Sequence, residues 1–159
     1  MPVNYRAYIK LIRPKHYLKN VLIFLPLVFS GHLFDKDYLV PAIFAFFAFS
    51  MGASVVYVVN DLRDKDFDAL HGRKKNRPIA SGEISTKAAI ATIIVLFLLA
   101  SVFQYFANPS LISTGILLFY LFINIFYSFG LKDVPIVDVT IISLGFVLRV
   151  LYGGYATDI

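Results

Sequence analysis

The sequence predicts an all-α membrane protein: a polytopic bundle of about five transmembrane helices preceded by an interfacial helix. Three observations predict it. The 159 residues are 58% hydrophobic and 16% charged, with 16 Phe and a mean hydropathy of +0.74, far more apolar than an ordinary soluble domain. The apolar residues fall into stretches long enough to cross a hydrocarbon core of about 30 Å, which takes about 20 residues each. The cations gather between those stretches. That placement explains the net charge of +5 by positive-inside sorting, so no nucleic-acid partner is expected. The absence of cysteine excludes disulfides, thiolate metal sites and cysteine nucleophiles within the chain. The first apolar stretch follows a long basic segment without a small-residue cleavage site, which predicts a retained anchor.

Between Tyr5 and Arg13, Tyr5, Tyr8, Ile9 and Ile12 share one helical face and Arg6, Lys10 and Arg13 another, the pattern of a helix lying in the membrane surface. Pro14 breaks or bends it. Membrane helices are then predicted over Tyr17–Phe34, Tyr38–Val59, Thr86–Ala107, Leu111–Ser128 and Val134–Tyr152. Arg6, Lys10, Arg13, Lys15 and Lys19 gather around the start of the first span. Arg63, Lys65, Arg73, Lys74, Lys75 and Arg77 fill the second connection, and Lys132 lies in the fourth. These belong on the cytoplasmic side of the cell membrane. Asn108-Pro109-Ser110 in the third connection is uncharged, which keeps the alternation consistent. An ending at Asp158-Ile159 just after a span reads as a truncation, so residues 1–159 are expected to be the N-terminal part of a larger membrane domain.

The connection 60–85 is where chemistry is expected. A solvated hairpin would accept any mixture of charges at any spacing. Here, if the second span continues as a helix, steps of about 100° per residue place Asn60, Asp61, Asp64 and Asp68 within roughly one sector, with Asp66 nearly opposite. Carboxylates sharing a face repel unless a cation sits among them, and such oxygen ligands suit Mg²⁺, which commonly bridges carboxylates to substrate phosphates. The basic run Arg73, Lys74, Lys75 and Arg77 follows, able to neutralise phosphate oxygens. Pro78 and Gly82 end the segment. Two rival motifs fail. An EF-hand starting at Asp64 meets Ala69 where Gly is needed and Lys75 where Glu is needed. The paired-aspartate signature of CDP-alcohol phosphotransferases needs Gly where Lys65 stands.

The string Asn60-Asp61-x-x-Asp64-x-x-x-Asp68, followed by Arg77-Pro78-Ile79-Ala80-x-Gly82, resembles the first aspartate-rich motif of the UbiA superfamily of intramembrane prenyltransferases. With His71 and Lys74 between the aspartates and Arg77-Pro78, it is similar to the decaprenyl-phosphate phosphoribosyltransferase branch. Arg13-Pro14 with Lys19-Asn20, the turn Tyr127-Ser128-Phe129-Gly130-Leu131-Lys132, and Gly145-Phe146 with Arg149 and Gly153-Gly154 agree with that branch. The resemblance covers about the first half of a nine-helix fold whose second acidic motif is absent here. It implies transfer of phosphoribose from phosphoribosyl diphosphate to a polyprenyl phosphate lipid, with Mg²⁺ as cofactor and the missing C-terminal half as a possible partner. Asn60, Asp61, Asp64 and Asp68 are then expected to hold metal and diphosphate, with Asp61, Asp64 and Asp68 catalytic. Lys74 and Arg77 are expected on substrate phosphates, and Lys19, Tyr127 and Lys132 as further candidates. The same machinery serves prenyl transfer to an aromatic acceptor. A non-catalytic membrane fragment is the remaining alternative.

Four other features have bland readings. Asp138 and Arg149 are ionisable groups inside the fifth span, functional by default, and lie about 16 Å apart along a helix, too far to pair. Tyr120, Asn124 and Tyr127 form a polar stripe on the fourth span that equally suits interhelical hydrogen bonding. Phe44, Phe46, Phe47 and Phe49 read as lipid-facing. His16, His32 and His71 are scattered.

Overall fold

The computed structural model describes residues 4–131 and 134–159. Among these the regular elements are all helical: α1 (Tyr5–Ile12), a 3₁₀ helix (Pro14–Phe24), α2 (Leu25–Ser30), α3 (Lys36–Arg63), α4 (Lys65–Ala69), a short 3₁₀ turn (Gly72–Asn76), α5 (Thr86–Ala107), α6 (Leu111–Ser128) and α7 (Pro135–Thr157). Four of them, α3, α5, α6 and α7, are long and apolar enough to cross a membrane.

The first predicted span departs from expectation. Instead of an α-helix over Tyr17–Phe34, the chain forms the 3₁₀ helix and then α2, with Gly31 in the left-handed region at φ 80° closing the end. Together the two pieces are about 30 Å long by their rises per residue. Apolar content, the same in both helix types, could not distinguish them. The second span runs farther than its apolar core, carrying helix through Asn60 and Asp61 to Arg63. Polar N-caps set the starts of α5 and α6: Ser85 Oγ accepts from Ala88 N–H at 3.2 Å and Ser110 Oγ from Ser113 N–H at 3.1 Å.

Helix α3 is the hub, packed against α5, α6, α7, α1 and the Pro14–Phe24 helix. It can be so because its buried side is small: Ala42, Ala45, Ala48, Gly52 and Ala53 let neighbouring backbones approach closely. Phe49, expected to face lipid, is instead fully buried, its ring tilted against those of Tyr120 and Tyr152 at centroid distances of 4.4 and 5.3 Å. Of that Phe-rich group Phe47 alone is exposed, with Phe44 and Phe46 half-buried. The outer faces of α5 and α6, with Ile94, Leu98, Val102, Leu118 and Phe122 exposed, form the apolar surface that a lipid environment covers.

Helix α1 docks on the bundle through Ala7 and Leu11, which join Val55 and Val58 of α3 and Leu96 of α5 in one core. Tyr5, Arg6, Ile9 and Lys10 remain exposed on its other side, so the amphipathic pattern is divided between the bundle and the surroundings.

Candidate active site

The site is built where α3 ends. Asp64 caps α3, yet the hydrogen-bond ladder passes through it, Asp64 N–H to Asn60 O at 3.0 Å and Asp68 N–H to Asp64 O at 2.8 Å, so α4 continues nearly the same helical face. The predicted sector therefore forms: Asp61 and Asp68 are buried, Asn60 and Asp64 half-buried, and Asp66 exposed.

Arginines from two other segments close on that face. Arg13 lies in the left-handed region at φ 55°, ψ 58°, an uncommon conformation for a residue with a side chain, and this turns the chain sharply after α1. Its Nη2 meets Asp61 Oδ1 at 2.6 Å and its guanidinium lies over the Tyr57 ring at 5.2 Å. Arg77 comes from the loop, held because Pro78, Ile79 and Ile84 are buried beneath it and Ile84 N–H bonds Pro78 O at 2.9 Å. Arg77 Nη1 bridges two carboxylates, Asp61 Oδ1 at 3.1 Å and Asp68 Oδ2 at 2.8 Å. Asp68 Oδ1 is buried without a hydrogen-bond partner. In front of this array opens a cavity of about 380 Å³ lined by Lys10, Arg13, His16, Asp61, Arg73, Asn76, Arg77 and Pro78. Four cations against one facing carboxylate make it attractive to a polyanion.

The other predicted residues are placed differently. Lys74 is exposed, its Nζ 5.8 Å from the Phe67 ring on which His71 also stacks. Asp64 lies 3.8 Å from Arg63. Tyr127 donates to Asp138, a short bond joining α6 to α7 that also gives Asp138 a partner. Lys19 lines a different cavity, with Arg149. Lys132 lies outside the described residues. Arg73 belongs to the basic run expected near phosphate oxygens, whereas Lys10 and Arg13 were contributors that sequence patterning did not single out. As members of the run before the first span they looked like sorting charges, and only the ion pair of Arg13 with Asp61 and the cavity they share with it mark them.

The donor set can be weighed against Mg²⁺. Among the described residues no three acidic or histidine side chains gather as a ready protein-only metal cage. Mg²⁺ is more often held by one or two carboxylates together with substrate phosphates. Asp61 and Asp68 with an orphaned oxygen fit that mode.

Fold and site together define a multi-pass helical membrane protein with a charged cavity at one end of its bundle. The chain belongs to the UbiA prenyltransferase family, whose profile matches residues 21–159. It is 33% identical over 153 residues to a decaprenyl-phosphate phosphoribosyltransferase of Corynebacterium glutamicum, covering 95% of this chain and 46% of that protein. It is 36% identical over 155 residues to the protein of that name from Mycobacterium tuberculosis, covering 95% and 51%. The chain thus spans about half the length of these curated relatives. A solved UbiA homologue from Archaeoglobus fulgidus bound to GPP and Mg²⁺ has the same fold, with a TM-score of 0.74 at 23% identity over 96% of this chain and 54% of that one.

Proposed function

We propose that this chain forms the donor-binding end of a transferase that moves phosphoribose from phosphoribosyl diphosphate onto a polyprenyl phosphate. The observation that carries the reading is the array Arg13–Asp61–Arg77–Asp68 at the mouth of a cationic cavity. The relatives named for this activity add to it.

Lys10, Arg13, Arg73 and Arg77 balance the diphosphate oxygens, and Asp61 and Asp68 hold the cation that accompanies them. Held by these carboxylates, Mg²⁺ would supply Lewis-acid stabilisation of the charge that develops on the departing diphosphate. The C1–O bond to diphosphate breaks with its electron pair leaving on diphosphate, and C1 bonds to an oxygen of the lipid phosphate. That oxygen is already anionic, so no protein nucleophile is required. The burial of Asp61 and Asp68 at one end of membrane helices keeps the donor beside, rather than within, the hydrocarbon. We place this end on the cytoplasmic side of the cell membrane, as the basic runs at residues 6–19 and 63–77 favour.

A second reading, prenyl transfer from a polyprenyl diphosphate to an aromatic acceptor, draws on the homologue bound to GPP and Mg²⁺. One experiment separates them. Membranes expressing the full-length protein are supplied with phosphoribosyl diphosphate and a polyprenyl phosphate. The expected result is a lipid-linked phosphoribose that vanishes with EDTA and in Asp68→Asn. Turnover only with a polyprenyl diphosphate and an aromatic acid would replace this reading with the second.

A further inference from the structure

Beneath the mouth lies a second cavity of about 190 Å³, whose lining includes Lys19, Tyr57, Tyr120 and Arg149 and, among the described residues, no acidic or histidine side chain. Arg149 is only 6% exposed. Its Nε donates to Asn20 Oδ1 at 2.8 Å, Nη1 to Gly145 O at 2.6 Å and Nη2 to Tyr120 Oη at 3.4 Å. Asn20 is itself fixed by donating to Ser50 Oγ at 2.9 Å, which aims its carbonyl oxygen at the guanidinium. The guanidinium also lies 5.1 Å from the Phe49 ring centroid and 5.3 Å from that of Tyr120. All these partners are neutral, and among the described residues Arg149 has no carboxylate partner. A cation held within an apolar bundle by dipoles and ring faces alone retains its full charge, at a cost that an incoming anion would offset. Lys19 adds a second cation at the rim.

We propose that this cavity seats the phosphate monoester head of the lipid acceptor, with Lys19 and Arg149 as its counter-charges. The assignment deepens the phosphoribosyl-transfer reading and rests on it for the identity of the donor. Three features favour a lipid over a free anion. Gly145, whose carbonyl meets the guanidinium, is about 15 Å along α7 from Pro135, deep in the bundle. Ile142 and Phe146 of the cavity wall are 54% and 39% exposed, continuing it onto the apolar outer face of α7. Finally, Tyr57 divides this cavity from the mouth: Arg13 stacks on its ring, His16 meets its edge at 5.2 Å, and it lies one helical turn before Asp61. An acceptor oxygen seated here would approach C1 from the side opposite the diphosphate. Since a lipid phosphate needs no base to attack, a lining without acid or histidine among the described residues suits this acceptor.

The test is binding of farnesyl phosphate, a short lipid phosphomonoester, to the full-length protein in nanodiscs, beside binding of phosphoribosyl diphosphate with Mg²⁺. Lys19→Gln is expected to weaken farnesyl phosphate at least tenfold while phosphoribosyl diphosphate affinity changes less than twofold. Arg149→Gln weakens it further and Arg149→Lys restores part of the loss. Because Lys19 is exposed, its variant remains informative should Arg149 variants fail to fold. Unchanged farnesyl phosphate affinity in folded Lys19→Gln would overturn the assignment. So would equal competition by inorganic phosphate, the mark of a free-anion site. If phosphoribosyl diphosphate fails to bind while farnesyl phosphate binding still depends on Lys19, the donor reading falls and the cavity assignment stands.

Discussion

Arg77 satisfies two buried carboxylates with one nitrogen, and that economy makes it the most consequential side chain of the mouth. Asp61 would keep Arg13 if Arg77 were lost, but Asp68 would be left buried with no cation. Stranding a buried charge in this way typically costs about 3 kcal/mol or more. Arg77→Gln is therefore expected to lower the thermal midpoint in detergent clearly, and Arg77→Gln combined with Asp68→Asn to recover much of the loss. A double variant no more stable than the single one would sink this account of the bridge. The carboxylate half of this arrangement was legible, since helical spacing alone put Asp61 and Asp68 on one side and Asp66 on the other. Arg13 was not: nothing in a basic run tells which member will adopt φ 55° and turn back onto a residue 48 positions away.

At the scale of elements, the Pro14–Phe24 helix crosses α7 with the two backbones in direct contact at Gly153. A Cβ on Gly153 would lie 2.0 Å from the backbone oxygen of Ile23, too close for any side-chain adjustment to relieve. Gly153→Ala is expected to destabilise the protein by about 1–3 kcal/mol or to part the two elements. A melting curve in detergent reads the first outcome, and weakened farnesyl phosphate binding the second, because Asn20 and Lys19 ride on the displaced helix. An unaffected variant on both counts would mean that this contact is not needed. The same end of the bundle is also held by side-chain hydrogen bonds: Gln104 of α5 donates to Ser113 Oγ of α6 at 2.9 Å and accepts a short bond from Tyr152 of α7. The Tyr127–Asp138 bond likewise answers for an intramembrane acid that hydropathy could only flag.

Across the whole molecule, the mouth with its Arg13–Asp61–Arg77–Asp68 array and the cationic cavity beneath it share one end, and the uncharged turn at residues 108–110 lies at the other. The natural absence of cysteine allows the two ends to be labelled singly. Lys75→Cys is expected to react with a membrane-impermeant maleimide only from the cytoplasmic side, and Asn108→Cys only from outside. The reverse pattern would invert the orientation proposed here. A topology of this kind also explains why basic residues on both sides of α3 converge: the start of the Pro14–Phe24 helix and the end of α3 meet on the same face of the bundle.

By itself the sequence determined the helical membrane class, the spans α3, α5, α6 and α7 to within a few residues, and the acidic face at residues 60–68. These follow from local period and hydropathy, which the chain carries in its order of residues. Tertiary structure decided the rest. The first span became 3₁₀ and then α where α7 presses on it at Gly153, Phe49 turned inward against Tyr120 and Tyr152, and the arginines were divided among different partners. Arg13 and Arg77 are matched to Asp61 and Asp68, while Arg149 is ringed by neutral dipoles and aromatic faces. Such pairings depend on which distant segments come within a few ångströms of each other, and no periodicity along the chain encodes that distance.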